Sequence, residues 1–166
     1  HPPRGPAVLV RRYLDIHGDE HERPADAEVR WRIGGYGVIV RDGRLLMVET
    51  VLPSRWRWDL PGGGIRLEPE ETILEGITRE VHEETGYRFR PDASTLVLVD
   101  DTCFRPPSGQ YWRMLTFAVR GDVDAAPDPH WWQPGEEIAR VAWIDPATLR
   151  PDDILRAHRR LLGKLG

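Results

Sequence analysis

The stretch Leu60–Tyr87, reading LPGGGIRLEPEETILEGITREVHEETGY, limits the fold more than any other part of the chain. Pro61-Gly62-Gly63-Gly64 breaks regular structure, because proline removes a backbone donor and glycine visits conformations closed to other residues. The pattern predicts a helix from about Pro69 to Thr85, with proline near its first turn and Gly86 just past its end. At about 100° per residue, Ile73, Leu74, Ile77 and Val81 form one apolar stripe. Glu80, Glu83 and Glu84, at i, i+3 and i+4, lie on one side of the same helix. Glu84 sits at the edge of the stripe and Ile73 falls between Glu80 and Glu84, so these acids adjoin the buried face. A second group, Glu71, Glu75, Arg79 and His82, lies opposite the core and reads as a solvated face.

Three glutamates so close repel one another unless a counter-charge sits among them. Oxygen ligands of this kind suit Mg²⁺ or Mn²⁺. The same spacing is common on solvated helices, and a run of glycines can be only a turn. The combination is more informative, because a glycine-rich turn lets backbone carbonyls approach a ligand or join a metal's shell.

The rest of the chain is mostly strand. Residues 1–7 read as a loose arm, Val8–Ile16 as a strand and His17–Ala27 as a polar loop. Trp31–Val40 and Leu45–Thr50 read as a hairpin closed by Arg41-Asp42-Gly43-Arg44. Leu52–Asp59 reads as a loop or short strand. Tyr87–Phe89, Thr95–Val99, Tyr111–Arg120 and Ala139–Ile144 read as further strands, with a long loop over Gly121–Gly135. Pro151–Leu165 is expected to be an amphipathic helix with Ile154, Leu155, His158, Leu161 and Leu162 on one side. This order predicts the α/β class, a mixed β-sheet packed between helices in an α/β/α sandwich. Residues 1–30 are expected to be an N-terminal extension carrying one strand, and 31–166 the main domain.

At 166 residues the chain favours one domain with a core of its own. A net charge of −4 argues against a nucleic-acid partner, and no apolar run is long enough to span a bilayer. The single cysteine, Cys103, reads as a small apolar residue near a strand end, and the absence of an internal disulfide suits a cytoplasmic location.

Leu60–Tyr87 resembles the Nudix box, a pattern of Gly, five residues, Glu, seven residues, then Arg-Glu-aliphatic-x-Glu-Glu-x-Gly and an aliphatic or aromatic residue. Glu71 and Arg79-Glu80-Val81-His82-Glu83-Glu84-Thr85-Gly86-Tyr87 match the second half, with Tyr87 at a usually aliphatic position. In the first half six residues separate Gly64 from Glu71 and seven separate Gly63 from it, which implies an insertion of one or two residues around Arg66-Leu67. The approach Trp58-Asp59-Leu60-Pro61-Gly62-Gly63 is also similar to the family's.

The resemblance implies hydrolysis of a phosphoanhydride in a nucleoside diphosphate derivative, with a nucleoside triphosphate or a nucleoside-diphosphate sugar favoured. It implies Mg²⁺ or Mn²⁺ held by Glu80, Glu83, Glu84 and the Gly64 carbonyl, and a proton accepted by Glu83, Glu84 or Glu137. Glu137, with Glu136 second, precedes a strand where the family often places a metal- or proton-binding glutamate. Gly63, Glu71, Arg79 and Gly86 are the implied structural members, Arg79 and Glu71 bracing the loop against the helix. A Nudix-fold regulator that binds a nucleotide without turnover is the alternative.

For substrate contacts, Trp56, Trp112, Trp131 and Trp132 are candidates for stacking on a base, and Arg55, Arg57, Arg105 and Arg113 for reaching phosphates. Ordinary packing and surface solvation are the competing readings. A homodimer through Val8–Ile16 is a further expectation that one sequence leaves open.

Overall fold

The computed structural model describes residues 9–51, 56–131 and 138–162. Its elements are β1 (Val10–Leu14), β2 (Glu20–Pro24), β3 (Val29–Val38), β4 (Val40–Arg41), β5 (Arg44–Thr50), β6 (Trp58–Asp59), β7 (Gly62–Gly64), α1 (Ile73–Thr85), β8 (Phe89–Pro91), β9 (Val97–Phe104), β10 (Tyr111–Val123), β11 (Ile138–Ile144) and α2 (Arg156–Leu162). β3 and β10 run parallel, from Val29 opposite Tyr111 to Val38 opposite Arg120. β7 pairs antiparallel with the free edge of β3, while β9 and then β8 pair antiparallel with β10. A second sheet has β11 on one edge of β5 and both β4 and β6 on the other. The chain passes from β3 to β4 with only Ile39 between them, and so enters the second sheet without a separate connection.

The expected mixed sheet between helices is present, and its strands bury both faces. Along β5, Leu46 joins the cluster of Ile39, Ile77, Val81, Phe89 and Val119, while Leu45 and Met47 join Val38, Trp58, Leu60, Ala118 and Ile154. Successive side chains on a strand point to opposite faces, so a strand covered on both sides reads as an unbroken apolar run. α1 covers the first face. It comes close because Gly35 and Gly37, two apart on β3, carry no side chains there. A methyl on Gly35 would lie 2.5 Å from Ile77, and one on Gly37 2.9 Å from Val81. The region preceding and including α2 covers the second face through Ile154, Ala157 and His158, all buried.

The β4–β5 turn has Asp42 and Gly43 both at positive φ, 49° and 72°, the twist a two-residue hairpin needs. β9 runs on to Phe104 and β10 to Val123, past their expected ends, and three further elements differ from expectation. The helix begins at Ile73 rather than near Pro69, because Thr72 caps it: Thr72 Oγ1 accepts from the Glu75 amide and the Glu75 carboxylate accepts from the Thr72 amide. The turn before it, residues 67–70, is where the glycine-to-Glu71 spacing is long. The polar run His17–Ala27 contains a strand, β2, paired with β1. This ribbon is mostly exposed along both strands and therefore shows no apolar alternation. Finally, α2 is shorter than expected, since Pro151–Asp153 forms a 3₁₀ turn and Ile154 bridges to Trp58 before the helix starts.

Candidate active site

The acidic helix and the glycine strand meet through one arginine. Arg79 places its guanidinium fork on Glu71, with Nε donating to Oε2 at 3.1 Å and Nη2 to Oε1 at 2.7 Å. Nη2 also donates to the Gly64 carbonyl at 2.9 Å, and Nη1 divides itself between Glu80 at 2.7 Å and Glu83 at 2.9 Å. The Arg79 side chain is only 18% exposed, so the outward face expected for it is corrected here. Glu71 wraps back from the turn before the helix and draws Arg79 across to the loop. A planar guanidinium with five fixed donors suits this crossing, and a lysine does not. The Arg79 pair, together with the Arg66 amide, holds the Glu71 carboxyl down to a pKa of about 2. The same carboxylates push the Arg79 pKa further up, Glu71 most of all.

The remaining acids line the glycine strand. Glu84 Oε2 accepts from the Gly62 amide at 2.8 Å. The Glu80 carboxylate lies so close over Gly63 that a methyl there would come within 2.7 Å of it. Gly62 has φ 154°, and a side chain at that position would meet the Gly35 carbonyl at 2.2 Å. Glu83 is half-exposed, more so than Glu80, and touches Arg66 at 3.4 Å.

The box residues expected from the sequence are therefore brought together: Gly63, Gly64, Glu71, Arg79, Glu80, Glu83 and Glu84 border one surface. Gly86 ends the helix in the left-handed conformation, φ 74°, and its amide donates to the His82 carbonyl. The Gly64 carbonyl, expected on a metal, accepts from Arg79. Trp131 lies against Gly86, and its indole N–H donates to the Glu83 carbonyl at 3.1 Å, closing the end of α1. Trp56 sits 5.5 Å from the His17 ring, at the tip of the β1–β2 ribbon. Arg113 is spent on Asp101 at 2.7 and 2.5 Å, Arg57 on Glu49 at 2.5 Å, and Arg105 on the Gly109 carbonyl. Arg55, Trp132, Glu136 and Glu137 lie outside the described residues.

One residue the sequence did not single out stands beside this surface. Arg32, on β3, approaches Gly64, where a methyl would be 3.5 Å from its Nη2. It is exposed and has no ion pair among the described residues, and it shares the neighbourhood of Tyr36 with Glu80 and Glu84. Only the alternation of β3, read together with the β3–β7 pairing, carries it there.

The donor set fits a divalent cation. Glu80 and Glu83 both place an oxygen within 2.9 Å of the same Arg79 nitrogen, so one half-shared positive charge serves two carboxylates. Among the described residues no three acidic or histidine side chains surround a single point as they stand, and Glu80 and Glu83 must turn from Arg79 to meet an ion.

A model of the NUDIX domain matches residues 30–165, and the chain belongs to the NUDIX family. It is 34% identical over 119 residues to 8-oxo-dGDP phosphatase NUDT18 of Homo sapiens, covering 69% of this chain and 33% of that protein. It is 45% identical over 67 residues to a MutT-like protein of Streptomyces ambofaciens, covering 40% of this chain and 41% of that protein. The chain thus spans between a third and about two-fifths of the length of these curated relatives. Among solved structures, a NUDIX hydrolase from Nitrosomonas europaea matches with a TM-score of 0.55 and 29% identity, over 82% of this chain and 86% of that one. No helix among the described residues is long and apolar enough to cross a membrane.

Proposed function

We propose that this chain hydrolyses a phosphoanhydride bond in a nucleoside diphosphate derivative and depends on Mg²⁺ or Mn²⁺. A nucleoside triphosphate, including an oxidised one, or a nucleoside-diphosphate sugar is the favoured substrate. The observation that carries the reading is Arg79, which binds Glu71, the Gly64 carbonyl, Glu80 and Glu83 at once and so fixes an acidic helix against a glycine strand. Glu80, Glu83 and Glu84 would hold the ion. When bound, the ion supplies positive charge to the diphosphate and lowers the pKa of water.

The chain's own residues do the rest. Gly64 carries no side chain and borders Arg32, which leaves room there for the approach of a phosphate. Arg32, uncommitted to any carboxylate among the described residues, anchors a phosphate oxygen and orients the bond to be broken. Glu83 or Glu84 takes the proton from the attacking water, with Glu137 as the third candidate. A name such as 8-oxo-dGDP phosphatase on a relative supports a nucleotide substrate and does not select which one.

The test is a panel of dNTPs, oxidised dGTP, 8-oxo-dGDP, ADP-ribose, nucleoside-diphosphate sugars and dinucleoside polyphosphates, with MgCl₂ or with EDTA. Phosphate and pyrophosphate release are followed for the wild type, Glu83→Gln, Glu84→Gln and Arg32→Ala. Mg²⁺-dependent turnover is expected, abolished in both glutamine variants, with Arg32→Ala raising KM about tenfold. Nucleotide binding without turnover on any member would replace this reading with that of a silent regulator.

A further inference from the structure

His158, on α2, is a buried titratable side chain that the proposed chemistry does not use. It is 0% exposed, and Nδ1 lies 2.5 Å from Asp59 Oδ1, a short approach not aligned as a hydrogen bond. Its Nε2 is buried with no hydrogen-bond partner among the described residues. A buried polar atom left without a partner is disfavoured and so calls for an explanation. An apolar residue of similar size would fill the same place in the second core cluster without that penalty.

What surrounds the ring gives the explanation. Asp59 ends β6, and the Oδ1 that faces His158 also accepts from the Leu60 amide at 2.9 Å. Leu60 and Pro61 lead directly into Gly62, whose amide holds Glu84 at 2.8 Å. The Tyr36 ring packs edge-on against His158 with centroids 4.3 Å apart. The other side of Tyr36 reaches Gly62, where a methyl would come within 2.7 Å of both its Cα and its ring. Burial pushes the ionisation of the Tyr36 hydroxyl well up, and the charges of Asp59 and Glu84 add to it. Two routes therefore run from His158 to Gly62, one through Asp59 and the backbone, the other through the Tyr36 ring. The segment before α2 is stitched to the same strand, since the Arg57 amide donates to the Asp153 carbonyl and Trp58 bridges to Ile154.

We infer that His158 is a positioning residue: with Asp59 and Tyr36 it latches α2 onto the Leu60–Gly62 segment and so fixes the orientation of Glu84. The functional consequence rests on the role given to Glu84 above. The latch itself does not, and its test reads an amide rather than a reaction. Hydrogen–deuterium exchange of the Gly62 amide is measured by NMR in the wild type, His158→Leu, His158→Asn and Asp59→Ala, with the Ile77 amide in α1 as the internal reference. Asparagine keeps a donor near the place of Nδ1.

Gly62 is expected to exchange about tenfold faster in His158→Leu and Asp59→Ala, with Ile77 changed less than about twofold, and His158→Asn is expected to stay near the wild type. Gly62 protection unchanged in either folded variant overturns the latch. So does an equal rise at Gly62 and Ile77, which is the signature of a residue that is merely structural. Should His158→Leu fail to fold, Asp59→Ala decides alone. With a substrate in hand, loss of the latch in His158→Leu lowers kcat about tenfold with KM within about twofold, while His158→Asn keeps kcat near the wild type. A wild type that turns over nothing defeats the proposed function while the exchange result still decides the latch.

Discussion

Replacing Glu71 with glutamine removes the carboxylate that draws Arg79 across to the glycine strand. Its pKa is lowered from 4.5 to about 2, chiefly by the Arg79 fork. Each pKa unit corresponds to about 1.36 kcal/mol of preference for the charged form, so the full shift would amount to about 3.4 kcal/mol. The pair reaches solvent at its rim, with both side chains 15–18% exposed, and screening reduces the expected contribution to about 2 kcal/mol. The group is depressed in the folded state. Its stabilisation is therefore fully present above pH 4.5 and is lost as the pH falls toward 2. Glu71→Gln should lose about 2 kcal/mol at pH 7, or about 4–8 °C in melting temperature for a chain of this size. The difference between wild type and variant, from urea titrations repeated down the pH scale, should hold steady above pH 4.5 and close as the pH approaches 2. A loss at pH 7 below about 0.5 kcal/mol, or one that persists undiminished at pH 2, would refute the argument from the Glu71–Arg79 pair.

Gly62→Ala should destabilise by more than about 2 kcal/mol in denaturant titrations, because φ 154° and the Gly35 carbonyl leave no room for a methyl. A change below about 0.5 kcal/mol would show that β7 is not seated as described. Trp131→Phe keeps the ring against Gly86 and removes the bond to the Glu83 carbonyl, which should cost about 1 kcal/mol with KM unchanged. A large rise in KM would instead return Trp131 to the substrate-stacking role. Arg79→Lys should destabilise by about 1.5–3 kcal/mol in the same titrations, since an ammonium has three donors for contacts that now use five.

Much of the site was legible because it is local. Helical periodicity alone puts Glu80, Glu83 and Glu84 on one side of α1, next to the stripe of Ile73, Ile77 and Val81. The cap at Thr72 was also written in the sequence, as Thr-Ile-Leu-Glu, and a capping-box reading would have started the helix correctly. Gly86 and Asp42-Gly43 likewise announce the conformations they adopt, since few other residues accept positive φ. The strand β2 was not legible, because an exposed two-stranded ribbon buries no face and leaves no alternation to read.

What the sequence by itself determined was therefore the acidic helix, its two ends, the glycine break before it and the family that combination resembles. The family resemblance implied the Glu71–Arg79 brace, which helical periodicity did not; the tertiary structure alone decided that the same arginine also meets the Gly64 carbonyl, Glu80 and Glu83. Arg79 reads as an outward residue on a helical wheel and becomes the hub only because the turn at residues 67–70 returns Glu71 to it. Arg32 reaches the site through the pairing of β3 with β7, and His158 reaches Asp59 across most of the chain through the bridge between Trp58 and Ile154. Periodicity fixes neighbours within one turn of helix or one strand. Contacts between distant segments depend on strand register and on how closely the layers pack, and here two glycines on β3 set that distance.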